Sequence, residues 1–236
     1  MIGLSEHKKS ALKIACKAAF PHTIPVLTGF LVLGMAYGVL MQTKGYETIW
    51  SVLMSAIAFC GSMQFVSSTL LTVAFDPISA FLLSIMVNAR HLFYGISMLD
   101  KYKGVGKVRN FLIYTLCDET FSIASSVEAP KHVEKKYFYF FISFLDYIYW
   151  ITGTAIGGIL GSFITINTQG LDFVLTALFV VLFLEQLKHK ENHISAMVGV
   201  IASIIALIIF KADNMVIPAM VLILVTLLVR RKRVCD

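Results

Sequence analysis

The chain has 236 residues, of which 58% are apolar and 14% charged, against roughly 45 to 50% and about 25% in soluble domains. That balance excludes a soluble globular fold. The net charge of +6 sits on the flanks of long apolar runs, without the interleaved aromatic and basic residues of a nucleic-acid surface, so nucleic acid is excluded as a partner.

Met1 to Phe20 carries Lys8, Lys9, Lys13 and Lys17 but no apolar core ahead of a small-residue cleavage site. Residues 1–20 therefore read as an amphipathic cytoplasmic lead-in and not as a cleaved signal. One helical crossing takes about 20 apolar residues. Runs of that kind lie near Ile24 to Met41, Thr48 to Phe75, Ile78 to Leu99, Phe111 to Val127, Tyr137 to Ile164, Leu171 to Leu187, Ile194 to Phe210 and Met215 to Val229. Strand-like alternation is absent, which excludes a closed barrel. The predicted fold is all-α: a polytopic membrane helical bundle of about seven to eight transmembrane segments, with room for broken or re-entrant helices, in the lipid bilayer. It forms one membrane domain over 1–236, ending in a basic cytoplasmic tail at 230–236.

The lysines before the first span, and Arg230, Arg231, Lys232 and Arg233 after the last, place both termini in the cytoplasm. An even number of crossings follows, and the loops holding Lys131, Lys135 and Lys136, and Lys188 and Lys190, also face inward. One loop disagrees. Lys101, Lys103, Lys107 and Arg109 fall outside, unless the rule fails locally or a segment among the first four is re-entrant.

Polar residues at membrane depth carry the functional signal. In the second span, Gly61-Ser62-Met63-Gln64-Phe65 places Gln64 and Ser68 on one face beside a glycine. Gln64 either meets a ligand or supplies an interhelical hydrogen bond. The third span holds Asn88-Ala89-Arg90-His91-Leu92-Phe93-Tyr94-Gly95. A charge at the centre of a spanning helix costs roughly 2.5 to 3.5 kcal/mol on insertion scales, so Arg90 requires a partner or an aqueous cavity. Ser84, Asn88, His91 and Gly95 share one side, whereas Arg90 projects about 100° away on the side of Met86 and Tyr94. Either Arg90 pairs with a neighbouring helix while Asn88 and His91 line a cavity, or the helix is distorted and both groups reach one space.

In the fourth segment, Cys117-Asp118-Glu119-Thr120-Phe121-Ser122 puts two adjacent carboxylates in an apolar stretch, where they either answer Arg90 or sit near an interface. Asp146 follows, beside Tyr147, Tyr149 and Trp150, a cluster that reads as an interfacial belt, with Asp146 close to the cytoplasmic end. Gly153, Gly157 and Gly161 form a strip for helix packing. Pro25, Gly29, Gly34 and Gly38 repeat that pattern in the first span, and Gly45 and Gly170 mark matching connections, a hint of parallel duplication. The four cysteines lack paired spacing, so no disulfide or metal role is expected.

Taken in order, the proline- and glycine-rich first span, Gly61 to Phe65, Asn88 to Gly95, Asp118-Glu119-Thr120-Phe121, Trp150 with Gly153 and Gly157, and Leu171-Asp172-Phe173 resemble the AzlC family over nearly the whole chain. These are large subunits of bacterial branched-chain amino acid exporters. The resemblance implies proton-driven secondary export of leucine, isoleucine and valine, with methionine as a further candidate. It also implies a multi-pass location in the cytoplasmic (inner) membrane and a small membrane subunit of the AzlD type. The basic stretch from Lys131 to Lys136 departs from the pattern without touching the motif positions.

The residues suit an amino acid zwitterion. Its carboxylate needs a cation or a helix N-terminus, and its ammonium needs carboxylates or carbonyls. Gln64, Asn88, Arg90, Tyr94, Asp118 and Glu119 are the candidate substrate-binding residues, and His91, Asp118 and Glu119 the candidate proton carriers. Phe65, Phe93 and Phe121 are candidate apolar walls. No Gly-x-x-x-x-Gly-Lys-Ser/Thr loop is present, and neither His-Glu-x-x-His nor Gly-x-Ser-x-Gly occurs, so no catalytic residue and no cofactor is assigned. A channel or a transporter of another small solute is the alternative, and an intramembrane enzyme a weaker one.

Overall fold

The structure, a computed structural model, describes residues 2–72, 76–163 and 193–215, with isolated positions between 177 and 187 and between 218 and 226. Two units divide the chain, residues 1–171 and 172–236, and each is taken by itself. The expectations for Leu171-Asp172-Phe173, Gly170, Lys188, Lys190 and the tail from Arg230 lie outside the described residues, as do most of those for the Leu171 to Leu187 and Met215 to Val229 spans.

Every described element is helical, so the chain is an all-α membrane protein. In the first unit the helices run in chain order: α1 (Ile2–Thr43), α2 (Thr48–Ala58), α3 (Gly61–Leu70), α4 (Pro77–Met98), α5 (Val108–Tyr114), α6 (Asp118–Ser126) and α7 (Lys135–Phe163). In the second unit lies α8 (His193–Asn214), interrupted at Lys211, whose φ is 60°. By length and composition, Ser10–Thr43, Lys135–Phe163 and His193–Lys211 are each able to cross a membrane. α4 has 22 residues, about 33 Å at the usual rise, which also suffices to cross.

α1 and α7 form the scaffold, and glycine decides their geometry. A Cβ on Gly34 would lie 2.9 Å from the Trp150 carbonyl oxygen, on Gly38 2.5 Å from the Gly158 nitrogen, and on Gly161 3.2 Å from Val39 Cα. Contacts thus advance together along both helices, which cross in parallel with their backbones touching. The strip foreseen on α7 is matched by a second on α1. This parallel run is what a parallel duplication requires of its first and fifth segments.

The second and fourth apolar segments are not single crossings. α2 and α3 have 11 and 10 residues, so each reaches only about half of the roughly 30 Å hydrocarbon core. Phe59 adopts the left-handed conformation (φ 37°, ψ 52°) between them and turns the chain back. Two hydrogen bonds close the hairpin. Gln64 of α3 donates to the Ser55 hydroxyl of α2 at 2.8 Å, and Tyr46, just past α1, donates to the Leu71 carbonyl at 3.0 Å. Both feet of this hairpin therefore stand at the Thr43 end of α1.

α5 and α6 make a second hairpin from the other end. Lys101, ahead of α5, donates to the Ser125 carbonyl near the end of α6 at 2.8 Å. Met98, Tyr102, Val105, Leu112, Leu116, Ala124, Val133 and Tyr139 share one buried core with Ala15 and Ala19 from the early half of α1. The loops with Lys101, Lys103 and Lys107, and with Lys131, consequently lie at the same end as Lys13 and Lys17. The conflict over Lys101 to Arg109 disappears, because the re-entrant alternative holds for both hairpins.

Two measurements test this fold. In a background without the four native cysteines, cysteines at Lys44 and Thr72 are expected to react with an impermeant thiol reagent from one face of sealed vesicles, and those at Lys103 and Lys131 from the other. A spanning α2–α3 segment would separate Lys44 from Thr72. Gly157→Ala, whose Cβ would collide with the Met35 carbonyl oxygen, is expected to destabilise by about 1 to 3 kcal/mol. Gly29→Ala, with nothing within 4 Å, leaves the melting temperature in detergent unchanged or higher.

Candidate functional site

The tips of the two hairpins meet beside the middle of α4. Asp76 caps that helix by accepting from the Ile78 amide at 3.1 Å, and Pro77 occupies its first turn. Asn88, Arg90 and His91 then fall midway along it. The first tip is Phe59 and extended Cys60, after which α3 starts at Gly61 with no side-chain cap. Glycine makes room there for an indole: a Cβ on Gly61 would stand 3.0 Å from the Trp150 ring and press it back by a few tenths of an ångström. The second tip is Thr115, Leu116 and extended Cys117, after which α6 starts with Asp118 and Glu119 in its first turn.

Arg90 ties both tips together. Its Nη2 lies 2.8 Å from Asp118 Oδ2 and donates to Ser62 Oγ at 2.8 Å, bridging the first turns of α6 and α3. Tyr94, one turn along α4, donates to Asp118 Oδ1 at 2.6 Å and stacks on Phe121 with ring centroids 4.4 Å apart. The Arg90 and Asp118 side chains stay 31% and 22% exposed. Arg90 Nε is buried without a partner. The carboxylate at the start of α6 offsets that helix's positive end, while the uncapped start of α3 adds amide donors beside the guanidinium. One side of this junction thus favours an anion, and the other, with two adjacent carboxyl groups, a cation.

Asn88 and His91 lie nearby but engage different groups. Asn88 Oδ1 accepts from Cys60 Sγ at 2.9 Å, and its amide donates to Ser84 Oγ at 3.4 Å. His91 Nδ1 is 3.3 Å from the Asn88 carbonyl oxygen, and its ring meets Tyr94 edge-on at 5.7 Å. Glu119 is within electrostatic range of Asp118, Arg90 and Asp146. Of the two arrangements open for α4, the structure has Arg90 paired with a neighbouring element and an unbroken helix.

Gln64 sits elsewhere in the hairpin. It is fully buried, accepts from the Trp150 indole at 2.8 Å and donates to Ser55, whose hydroxyl is 2.9 Å from that of Thr154. These bonds lock the first hairpin onto α7. The aromatic cluster is correspondingly not an interfacial belt. Trp150 is 3% exposed in the protein interior, and Tyr147 donates to the Ala56 carbonyl at 2.8 Å. Asp146 is likewise fully buried. Phe65 is buried against Tyr37 (5.6 Å between ring centroids), whereas Phe93 is 60% exposed on α4 and lines no part of the junction.

Sequence reasoning passed over Ser62, Cys60 and Tyr114. Ser62 stood inside the glycine motif, so its place was visible but its partner was not. Tyr114 donates to the Ala56 and Ile57 carbonyls at 2.7 and 2.6 Å, closing the last turn of α2 from the opposing hairpin. Nothing in its local sequence distinguishes it from a lipid-facing tyrosine.

Comparison with known proteins places this architecture in a family. Residues 25–164, from the proline of α1 to the end of α7, match the family described as AzlC protein. The chain is 50% identical over 226 residues to the branched-chain amino acid transport protein AzlC of Bacillus subtilis, covering 96% of this chain and 89% of that one. It is 38% identical over 208 residues to an uncharacterized membrane protein of Haemophilus influenzae, covering 88% and 85%. It is 26% identical over 192 residues to the inner membrane protein YgaZ of Escherichia coli, covering 77% and 78%. No solved structure matches. The chain belongs to the AzlC family, a family of membrane transport proteins and not of enzymes.

Proposed function

We propose that this protein is a secondary transporter exporting leucine, isoleucine and valine, with methionine as a further substrate, across the cytoplasmic membrane. Residues 1–236 work as one transporter domain with a small membrane subunit of the AzlD type, and the proton gradient drives export. The carrying observation is Arg90 held between Ser62 and Asp118 at the meeting point of two half-helices. Substrate class and partner rest additionally on the likeness to the Bacillus protein, whose name states branched-chain amino acid transport.

In this reading the substrate carboxylate meets Arg90, the start of α3 and Asn88, while Tyr94, Asp118 and Glu119 receive the ammonium. Phe121 and its stacking partner Tyr94 flank the aliphatic side chain. Gln64 acts at one remove, by holding the first hairpin in place. His91 and Glu119 each lie within reach of the Asp118 charge, and these three residues carry the coupling proton. The end of the first unit holding Lys13, Lys17, Lys101, Lys103, Lys107 and Lys131 is the cytoplasmic one, by the positive-inside rule. The hairpins then open from opposite faces toward a common midpoint, which is how broken helices serve alternating access.

Arg90→Ala and Asp118→Asn each strand a charge in the bilayer interior. Loss of one partner of a desolvated pair costs about 2 to 5 kcal/mol, so each variant is expected to reduce labelled leucine efflux from loaded vesicles at least roughly tenfold. Tyr94→Phe, which removes one hydrogen bond, is expected to lose about threefold to tenfold. Thermal melting of the same variants separates transport loss from misfolding. Wild-type efflux in both folded charge variants would refute the assignment.

A further inference from the structure

A second polar centre lies deeper, and the substrate reading does not use it. Asp146, on α7, has no solvent exposure. Its Oδ2 accepts from the Thr120 hydroxyl at 2.8 Å, while its Oδ1 is buried without a partner. Ser143 stands one turn earlier on the same face of α7, is 1% exposed, and its hydroxyl oxygen is also buried and unpartnered. Thr120 belongs to the first turn of α6, beside Glu119, with its hydroxyl 3.2 Å from Cys117 Sγ.

Charge makes the vacant hydrogen-bonding positions informative. Neither Asp146 nor Glu119 forms an ion pair among the described residues, and Arg90 is matched to Asp118. The titratable groups facing Asp146 are Glu119 and Cys117 on α6 and Tyr149 on its own helix. α1 adds Cys16 near Tyr149, and Thr23 through its 3.1 Å contact with the Tyr149 hydroxyl, while the adjoining core is Ala15 and Ala19 from α1, Leu112 from α5 and Leu116 from the second tip. None of these is a cation. A carboxylate that only held the fold together would have its lone pairs satisfied. Here two buried oxygens, one turn apart, await a positive species. The donors are a carboxylate and two hydroxyls, and no cluster of three His, Cys, Asp or Glu occurs among the described residues. This set lacks the thiolates and imidazoles that zinc and copper favour and the several carboxylates that hold divalent ions, and its single negative charge matches a proton or a monovalent cation.

We propose that Asp146, with Ser143 and Thr120, forms a second, inner cation seat, taking either the proton passed on from His91, Asp118 and Glu119 or a sodium ion moving beside it, at a place distinct from the Arg90–Asp118 contact. This rests on the reading of the chain as an ion-coupled amino acid transporter. Thr120 and Asp118 are two residues apart in the same helical turn, so a shift of the α6 tip on cation arrival moves the carboxylate that Arg90 holds. Ion occupancy and substrate access are thereby joined through one short helix.

The test uses sealed vesicles bearing the full chain with its small subunit. Two quantities are measured: labelled leucine counterflow at equal pH and sodium on both sides, and leucine movement driven by an imposed pH or sodium gradient. Asp146→Asn is expected to lose gradient-driven movement at least tenfold while counterflow persists. Ser143→Ala is expected to shift the pH or sodium concentration of half-maximal driven movement at least threefold. The effective gradient in the unaltered protein identifies the cation. Driven movement that survives Asp146→Asn, or an Asp146→Asn protein that is stable but loses counterflow to the same degree, would overturn the proposal. Should Asp146→Asn fail to fold, an unshifted half-maximal point in Ser143→Ala overturns it as well. An unaltered protein with leucine counterflow but no response to either gradient defeats the cation seat and the gradient coupling while leaving leucine transport standing, whereas absence of leucine counterflow defeats the transport reading and this proposal with it.

Discussion

A guanidinium held halfway through a membrane is the constraint around which this protein is arranged. Arg90 is tolerable there because Asp118 and Ser62 both lie 2.8 Å from its Nη2. Each of those groups comes from the first residues of a half-helix, so the ion pair exists only if both hairpins penetrate to the same depth. The pair remains partly exposed, which lowers its desolvation cost and, in the proposed reading, leaves it open to a ligand that exchanges partners with it.

Two interrupted helices in a bilayer raise a second difficulty, since amides and carbonyls at the breaks have no water to bond. The carbonyls at the end of α2 are met by the hydroxyls of Tyr114 and Tyr147, from the other hairpin and from α7. At the start of α3 no side chain caps the helix. The closed end is thus scaffold, whereas the open end faces Arg90, where in the proposed reading the substrate carboxylate completes it.

Behind both tips stands the parallel crossing of α1 and α7. Glycines at 34 and 38 on one helix, and at 153, 157 and 161 on the other, bring the backbones together so closely that side chains cannot intervene. Gln64, Trp150, Ser55 and Thr154 then anchor the first hairpin to that crossing, while Thr120 and Asp146 anchor the second. If the protein works as proposed, the parallel helices are the fixed frame of alternating access and the two hairpins the short elements that shift against it.

Much was legible in the chain itself. Composition and the length of the apolar runs determine an all-α membrane protein, because only helices satisfy their own backbone in lipid. The expense of burying charge singles out Arg90, Asp118 and Glu119, and the glycine spacing marks α7 as a packing surface. Basic loops even exposed an inconsistency around Lys101, for which a re-entrant segment was one of two resolutions. Tertiary structure alone decided that both the second and fourth segments fold back, since a turn such as that at Phe59 leaves no mark in hydropathy. It also decided that Gln64 and Trp150 serve the interior, and that Ser62 and Tyr114 matter. Hydropathy and helical period describe one segment at a time, whereas hydrogen-bond partners 28 or 58 residues apart are chosen by the packing of separate helices.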